Sequence, residues 1–158
     1  RRPVDFAERI NMLELLDNQQ GPAAGELLAH PFDARLKMHI IKTALRARKT
    51  FSRIFSDGKY QPVASEGPFR RNVLCFCRPT KSAAMLVAVA RFTSNLVAPG
   101  NYPLGEAVWR DTNLHINKEL TGTYLNILDN STLAVAEITP AGAIFRGFPA
   151  AICIKQPS

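Results

Sequence analysis

The chain has 158 residues, 46% of them hydrophobic and 21% charged, and carries a net charge of +7 from 20 Lys and Arg against 13 Asp and Glu. That composition excludes a disordered tail, a collagen-like chain and a coiled coil. No apolar run approaches the roughly eighteen residues of a transmembrane helix, so no membrane partner is expected.

The first residue is Arg1, not methionine, and no charged segment followed by an apolar one opens the chain. The expectation is a chain processed or cut from something longer, with no signal peptide at its start.

The first third reads helical. Pro3 suits a first helical turn, and Phe6, Ile10, Leu13 and Leu16 recur at spacings of four and three. Asp17 to Pro22 ends that helix. A short helix is expected over 25–29, broken by His30-Pro31. A longer one follows from Asp33, a candidate N-cap, to Thr50, with Leu36, Ile40, Thr43 or Ala44, and Ala47 as its buried stripe. Arg35, Lys42, Arg46 and Lys49 share the opposite face, which reads as solvated.

After the turn at Ser56-Asp57-Gly58 the pattern changes. Short apolar runs at 72–78, 84–91, 107–109, 123–127, 133–138 and 150–154 read as strands, and 114–116 adds one more. Turn signals separate them, among them Pro99-Gly100-Asn101 and Pro140-Ala141-Gly142. The expected fold is α+β. Two to three N-terminal helices over 1–56 are followed by an antiparallel all-β sandwich over 57–158. The helices have apolar stripes but too little mass to close a core alone.

The basic excess is spread, +4 over residues 1–60 and +3 over 61–158. A phosphate-tracking stripe would interleave aromatics for stacking, and the basic helix face has none, so nucleic acid is not expected as a partner. Cys75, Cys77 and Cys153 are odd in number, and a lone C-x-C supplies too few ligands for a metal. Buried free thiols in a reducing cytoplasm are expected.

His30, His39 and His115 are far apart, and no metal site or cofactor is expected. No nucleophile elbow, P-loop or dinucleotide fingerprint occurs. Glycoside chemistry would need two carboxylates about 5 Å apart. The carboxylates available in the β half are Glu106, Asp111, Glu119, Asp129 and Glu137, and they form no convincing set. Trp109-Arg110-Asp111-Thr112 could make a sugar-binding patch, or Trp109 could be core with Asp111-Thr112 a turn.

The segments RRPVDF (1–6), LKMHIIKTALRARK (36–49), DGKYQPV (57–63), PLGEAVWRDT (103–112), LTG (120–122) and GFPAAI (147–152) resemble, in order and spacing, the C-terminal part of the maltooligosyltrehalose synthase family of the α-amylase clan. At Ile116-Asn117 the chain departs from the Leu-Pro pair usual in that family. The resemblance implies a larger enzyme whose active site lies on a (β/α)₈ barrel, too long at about 250 residues to fit here. The N-terminal helices would be the end of that barrel and its linker, with the barrel as partner in cis. The implied reaction turns the reducing-end α-1,4 linkage of a maltooligosaccharide into an α,α-1,1 linkage. No catalytic residue is therefore assigned to this chain. Arg1 and Arg2 are the substrate-side candidates, where the chain would leave a barrel strand. Two rival readings stand beside this one. The first is a glucan-binding module in which Trp109 stacks on sugar with Tyr60, Tyr102 or Tyr124. The second is nucleic-acid binding through the basic helix.

Overall fold

The computed structural model describes residues 3–17, 24–29 and 34–157. Arg1, Arg2, His30 and the expected cap Asp33 lie outside the described residues. Helix α1 spans Phe6–Asp17, α2 Ala24–Leu28, α3 Ala34–Thr50 and α4 Ser52–Ser56. Pro3 precedes α1 instead of opening it. The cap is Asp5, whose Oδ1 accepts from the Glu8 backbone N–H at 2.9 Å, satisfying one of the free donors of the first turn.

Nine strands follow: β1 Gln61–Pro62, β2 Ala64–Glu66, β3 Val73–Pro79, β4 Ala84–Ala90, β5 Asn113–His115, β6 Gly122–Asn126, β7 Thr132–Val135, β8 Ile138–Pro140 and β9 Ala150–Lys155. Two short helices interrupt them, α5 Gly105–Trp109 and α6 Ala141–Ile144. The strands form a six-stranded sheet in the order β1-β3-β4-β9-β6-β7 and a three-stranded sheet in the order β2-β5-β8. Every strand pairing among the described residues is antiparallel, so the α+β class with antiparallel sheets is as expected.

Alternation along the strands sets the core. Val73, Cys75 and Cys77 of β3, Ala84, Leu86 and Ala88 of β4, and Ala151 and Cys153 of β9 point inward and are buried. Facing them are Leu114 of β5 and the helical residues Trp109, Ala141 and Ile144, with Phe145 just beyond α6. The second layer is therefore only partly sheet. On the outer face, Met85 and Ile154 pack with Ile54 of α4. With a cover on both faces, these strands read as nearly continuous apolar runs rather than clean alternations.

Three expectations are corrected. Residues 107–109 lie in α5, not in a strand: five residues are too few to show a period, and the chain turns so that Trp109 enters the core. The run 133–138 is not one strand. It ends as β7 at Val135, and β8 begins in the other sheet at Ile138. Thr139 pins this corner, accepting from the Ala136 N–H at 3.0 Å and donating to the Ala136 carbonyl at 2.8 Å. The basic face of α3 is not simply solvated. Lys42 donates to the Leu16 carbonyl at 2.5 Å and to Asp17 at 2.9 Å, and Arg46 reaches the same Asp17 oxygen at 2.8 Å. These cations close the C-terminal end of α1, which has no basic residue in its own last turn.

Candidate functional site

Of the four aromatic residues that the rival glucan-binding reading would stack on sugar, Trp109 and Tyr124 are core, Tyr102 is half-buried and Tyr60 is exposed. Trp109 is fully buried, stacks on Phe145 at 4.8 Å and donates its indole N–H to the Pro103 carbonyl at 2.8 Å. Tyr124 is equally buried, and its hydroxyl donates to the Leu120 carbonyl at 2.7 Å. Neither ring can meet a glucan, which removes the proposed Trp109–Tyr124 platform. Burial also raises the Tyr124 phenol well above its ordinary range, with the nearby Cys77 and Cys153 adding to the effect.

Around Trp109 the chain is fastened rather than open. Arg110 takes a positive φ of 48° and caps α5 by donating its N–H to the Glu106 carbonyl at 2.7 Å. Thr112 is buried and accepts from the Phe69 N–H at 3.2 Å. Asp111 is exposed, and its backbone oxygen packs against Gly67. The turn reading of Asp111-Thr112 is the one that holds.

Tyr60 remains accessible at 58% exposure and tilts over Phe76 at 5.0 Å. The pair borders an apolar cleft of about 250 Å³ on the outer face of the large sheet, together with Ala44, Phe55, Met85 and Val87. Arg78 forms one wall, but its guanidinium is spent on the Ile54 and Phe55 carbonyls at 3.2 and 2.8 Å.

The titratable groups do not converge. Among the described residues no cluster of His, Cys, Asp or Glu could hold a metal. Glu106, Asp111, Glu119, Asp129 and Glu137 lie on separate helices, turns and loops, and none hydrogen-bonds another. Asp129 Oδ1 is instead taken by the Ser131 N–H and hydroxyl at 3.0 and 2.6 Å. His39 bonds the Leu128 carbonyl at 2.7 Å and leans on Phe148, tying α3 to the β region. His115 pairs with Glu66 at 3.1 Å on the small sheet. All three cysteines are buried free thiols. Burial pushes Cys77 up to about 11 and Cys153 up to about 12, the latter aided by Asp129, and it raises Cys75 further still. These groups are built for packing, since a reactive thiol needs an exposed site that favours the thiolate.

The remaining feature is an apolar surface on the helices. α1 buries no residue, and Phe6 is 72% exposed with Ile10 at 55%; on α3, Ile41 and Leu45 are 43% and 60% exposed. Phe6 and Ile10 lie one turn apart on α1, as do Ile41 and Leu45 on α3. No helix among the described residues is long and apolar enough to cross a membrane.

No family model matches the chain. Two Mycobacterium tuberculosis proteins named maltooligosyl trehalose synthase, from strains CDC 1551 and H37Rv, are each 29% identical to it over 160 residues. The chain is similar to a C-terminal part of a maltooligosyltrehalose synthase. The alignment takes in 99% of this chain and 16% of either relative, so the chain spans about a sixth of their length. A solved mutant of maltooligosyltrehalose synthase from Arthrobacter ramosus shares the fold, with a TM-score of 0.67 and 24% identity over 99% of this chain and 18% of that one. The resemblance carried by RRPVDF and PLGEAVWRDT therefore holds along the whole chain.

Proposed function

We propose that these 158 residues are the C-terminal part of a larger cytoplasmic enzyme of the α-amylase clan. In this reading the enzyme moves the reducing-end α-1,4 linkage of a maltooligosaccharide to an α,α-1,1 linkage, the chemistry of trehalose biosynthesis. The observation that carries the reading is the similarity of nearly the entire chain to one part of synthases about six times its length.

Retention at the anomeric carbon needs a carboxylate nucleophile and an acid/base carboxylate about 5 Å apart. The scattered carboxylates of this chain supply no such pair among the described residues, which supports placing the reaction on a barrel contributed by the rest of the enzyme. The contribution of this part is structural. Phe6, Ile10, Ile41 and Leu45 would be covered by that barrel, each burial contributing on the order of 1 kcal/mol. α1 would be the end of the barrel or an extension of it, and Arg1 and Arg2 would lie at its C-terminal face, where such sites are built. Lys42 and Arg46 are already paired with Asp17, which speaks against a nucleic-acid role for that face.

The test is product formation from maltopentaose, read as loss of reducing ends. The isolated chain is expected to leave them intact. Conversion by the isolated chain refutes the structural assignment.

A further inference from the structure

An edge strand leaves half of its backbone groups without a ladder partner, and such edges are usually blunted by a proline, a charge or extreme shortness. Among the described residues, β1 carries Pro62, β2 ends on Glu66 and β8 ends on Pro140. β7 closes the other side of the large sheet with Thr132-Leu133-Ala134-Val135, which has neither proline nor charge. Its phase follows from one bond. The Asn126 N–H donates to the Ser131 carbonyl at 2.8 Å, so in the alternating antiparallel pattern Leu133 and Val135 also bond to β6. The N–H and C=O groups of Thr132 and Ala134 therefore point away from β6, and they meet no partner among the described residues.

Beside this edge lies a cavity of about 410 Å³. Thr132, Leu133 and Ala134 line it in succession, so it runs along the backbone of β7 rather than under one face. Ala143, Ile144 and Arg146 form the opposite wall. Asn126 reaches in from β6; it is the register partner of the inward-facing Cys153 and only 2% exposed. Its Oδ1 accepts from the N–H groups of Leu128 and Ile152, both at 3.2 Å. That fixes the orientation of the amide and leaves Nδ2 as a donor with no partner among the described residues, a costly state for a buried group. Arg146 is the one charged residue of the lining, exposed and without an ion pair among the described residues. Asp129 lies outside the lining and is bound to Ser131.

We propose that an extended segment of the same enzyme, from outside these 158 residues, adds a strand to β7 and directs an acidic side chain into the cavity, toward Arg146 and Asn126 Nδ2. In strand addition the main-chain bonds, here to Thr132 and Ala134, give affinity, and a pocket for an alternate side chain gives specificity. The lining holds a cation and an idle amide N–H but no carboxylate, and that pairing selects an acid. The inference rests on the synthase reading, in which the aligned part is only 16% of either relative and the rest supplies the segment. A second copy fits worse, because its β7 would offer Thr, Leu, Ala and Val and no acid.

The experiment is hydrogen exchange read at single amides, in a long polypeptide that contains this chain and in the 158-residue chain alone. In the isolated chain Leu133 and Val135 are expected to be protected by β6, which shows that the fold is present, while Thr132 and Ala134 exchange freely. In the long polypeptide Thr132 and Ala134 should exchange about a hundredfold more slowly. Arg146→Glu should remove about tenfold of that protection and leave Leu133 as it was. Thr132 and Ala134 exchanging at the unfolded rate in the long polypeptide, or equally in the two proteins, overturns the proposal. Protection in the isolated chain that grows with its concentration overturns it too, because a second copy then holds the edge. Protection that Arg146→Glu leaves intact refutes the acidic side chain. These outcomes are separable from the synthase reading. A long polypeptide that forms product with unprotected edge amides defeats this inference alone, and one that protects them without forming product defeats that reading alone.

Discussion

Gly142 is the position where one added methyl group should do most damage. It is buried on α6, and a Cβ there would lie 2.6 Å from the Glu106 Cα and 2.8 Å from the Glu106 nitrogen. Both are backbone atoms of α5, so no side chain can swing away. Ordinary carbon contacts sit at about 3.5–4.0 Å, so α6 must retreat from α5 by about 1 Å, and a gap of that size forfeits up to half the dispersion energy of each separated pair. The pair most exposed to this is Trp109 on Phe145. Overpacking of this kind costs about 1–3 kcal/mol, and the better helix propensity of alanine returns at most about 1 kcal/mol. A net loss of about 2 kcal/mol is expected for Gly142→Ala. With a urea m-value of about 2 kcal/mol/M, the midpoint falls by about 1 M. Trp109 is the sole tryptophan, so its fluorescence reports the transition directly. Gly25→Ala is the control: it lies in α2 with nothing within 4 Å of the added methyl and should leave the midpoint unchanged or slightly raised. An unshifted midpoint for Gly142→Ala would refute the close-packing argument.

Two further outcomes follow from the same structure. Asp17 is held below its ordinary carboxylate value of 3.8, chiefly by the Lys42 hydrogen bond and further by the charges of Lys42 and Arg46. A depressed acid contributes stability above its unfolded value and loses it as pH falls through the folded one. The protection of the α1 amides, meaning exchange relative to the unfolded rate at the same pH, should therefore fall below about pH 3.8, and Asp17→Asn should show the lower protection already at neutral pH; equal protection in both proteins would contradict the clamp. The three thiols should resist a disulfide reagent at pH 8 in the native chain, and all three should react in denaturant. Fast labelling of any of them in the folded state would show that the sheet interior opens.

The residues that could be read in advance are those whose local pattern matches their final environment. Phe6, Ile10, Leu13 and Leu16 carry a helical period, and α1 is a helix. The apolar runs at β3, β4 and β9 are strands because both faces of the large sheet are covered in part. What could not be read depends on partners distant in sequence. Lys42 and Arg46 look like a solvated face until Asp17, 25 and 29 residues away, is placed against them. Ala107-Val108-Trp109 fits a strand or a helix equally well, and only the buried stack with Phe145 decides. Phe92 has no turn signature around it; its backbone is set by Asn72, 20 residues earlier. The two readings of Trp109, sugar patch or core, stayed open in the sequence for a related reason, because an aromatic next to a charged pair looks the same there whether its ring faces water or the core; the structure selects the core.

We propose above that this chain is part of a trehalose-forming enzyme and does not carry the reaction. The most direct test sets the purified 158-residue chain beside a long polypeptide that contains it, each incubated with maltopentaose and assayed for reducing ends. The long polypeptide is expected to remove reducing ends and the isolated chain to leave them unchanged. Conversion by the isolated chain, or none by the long polypeptide, would contradict it.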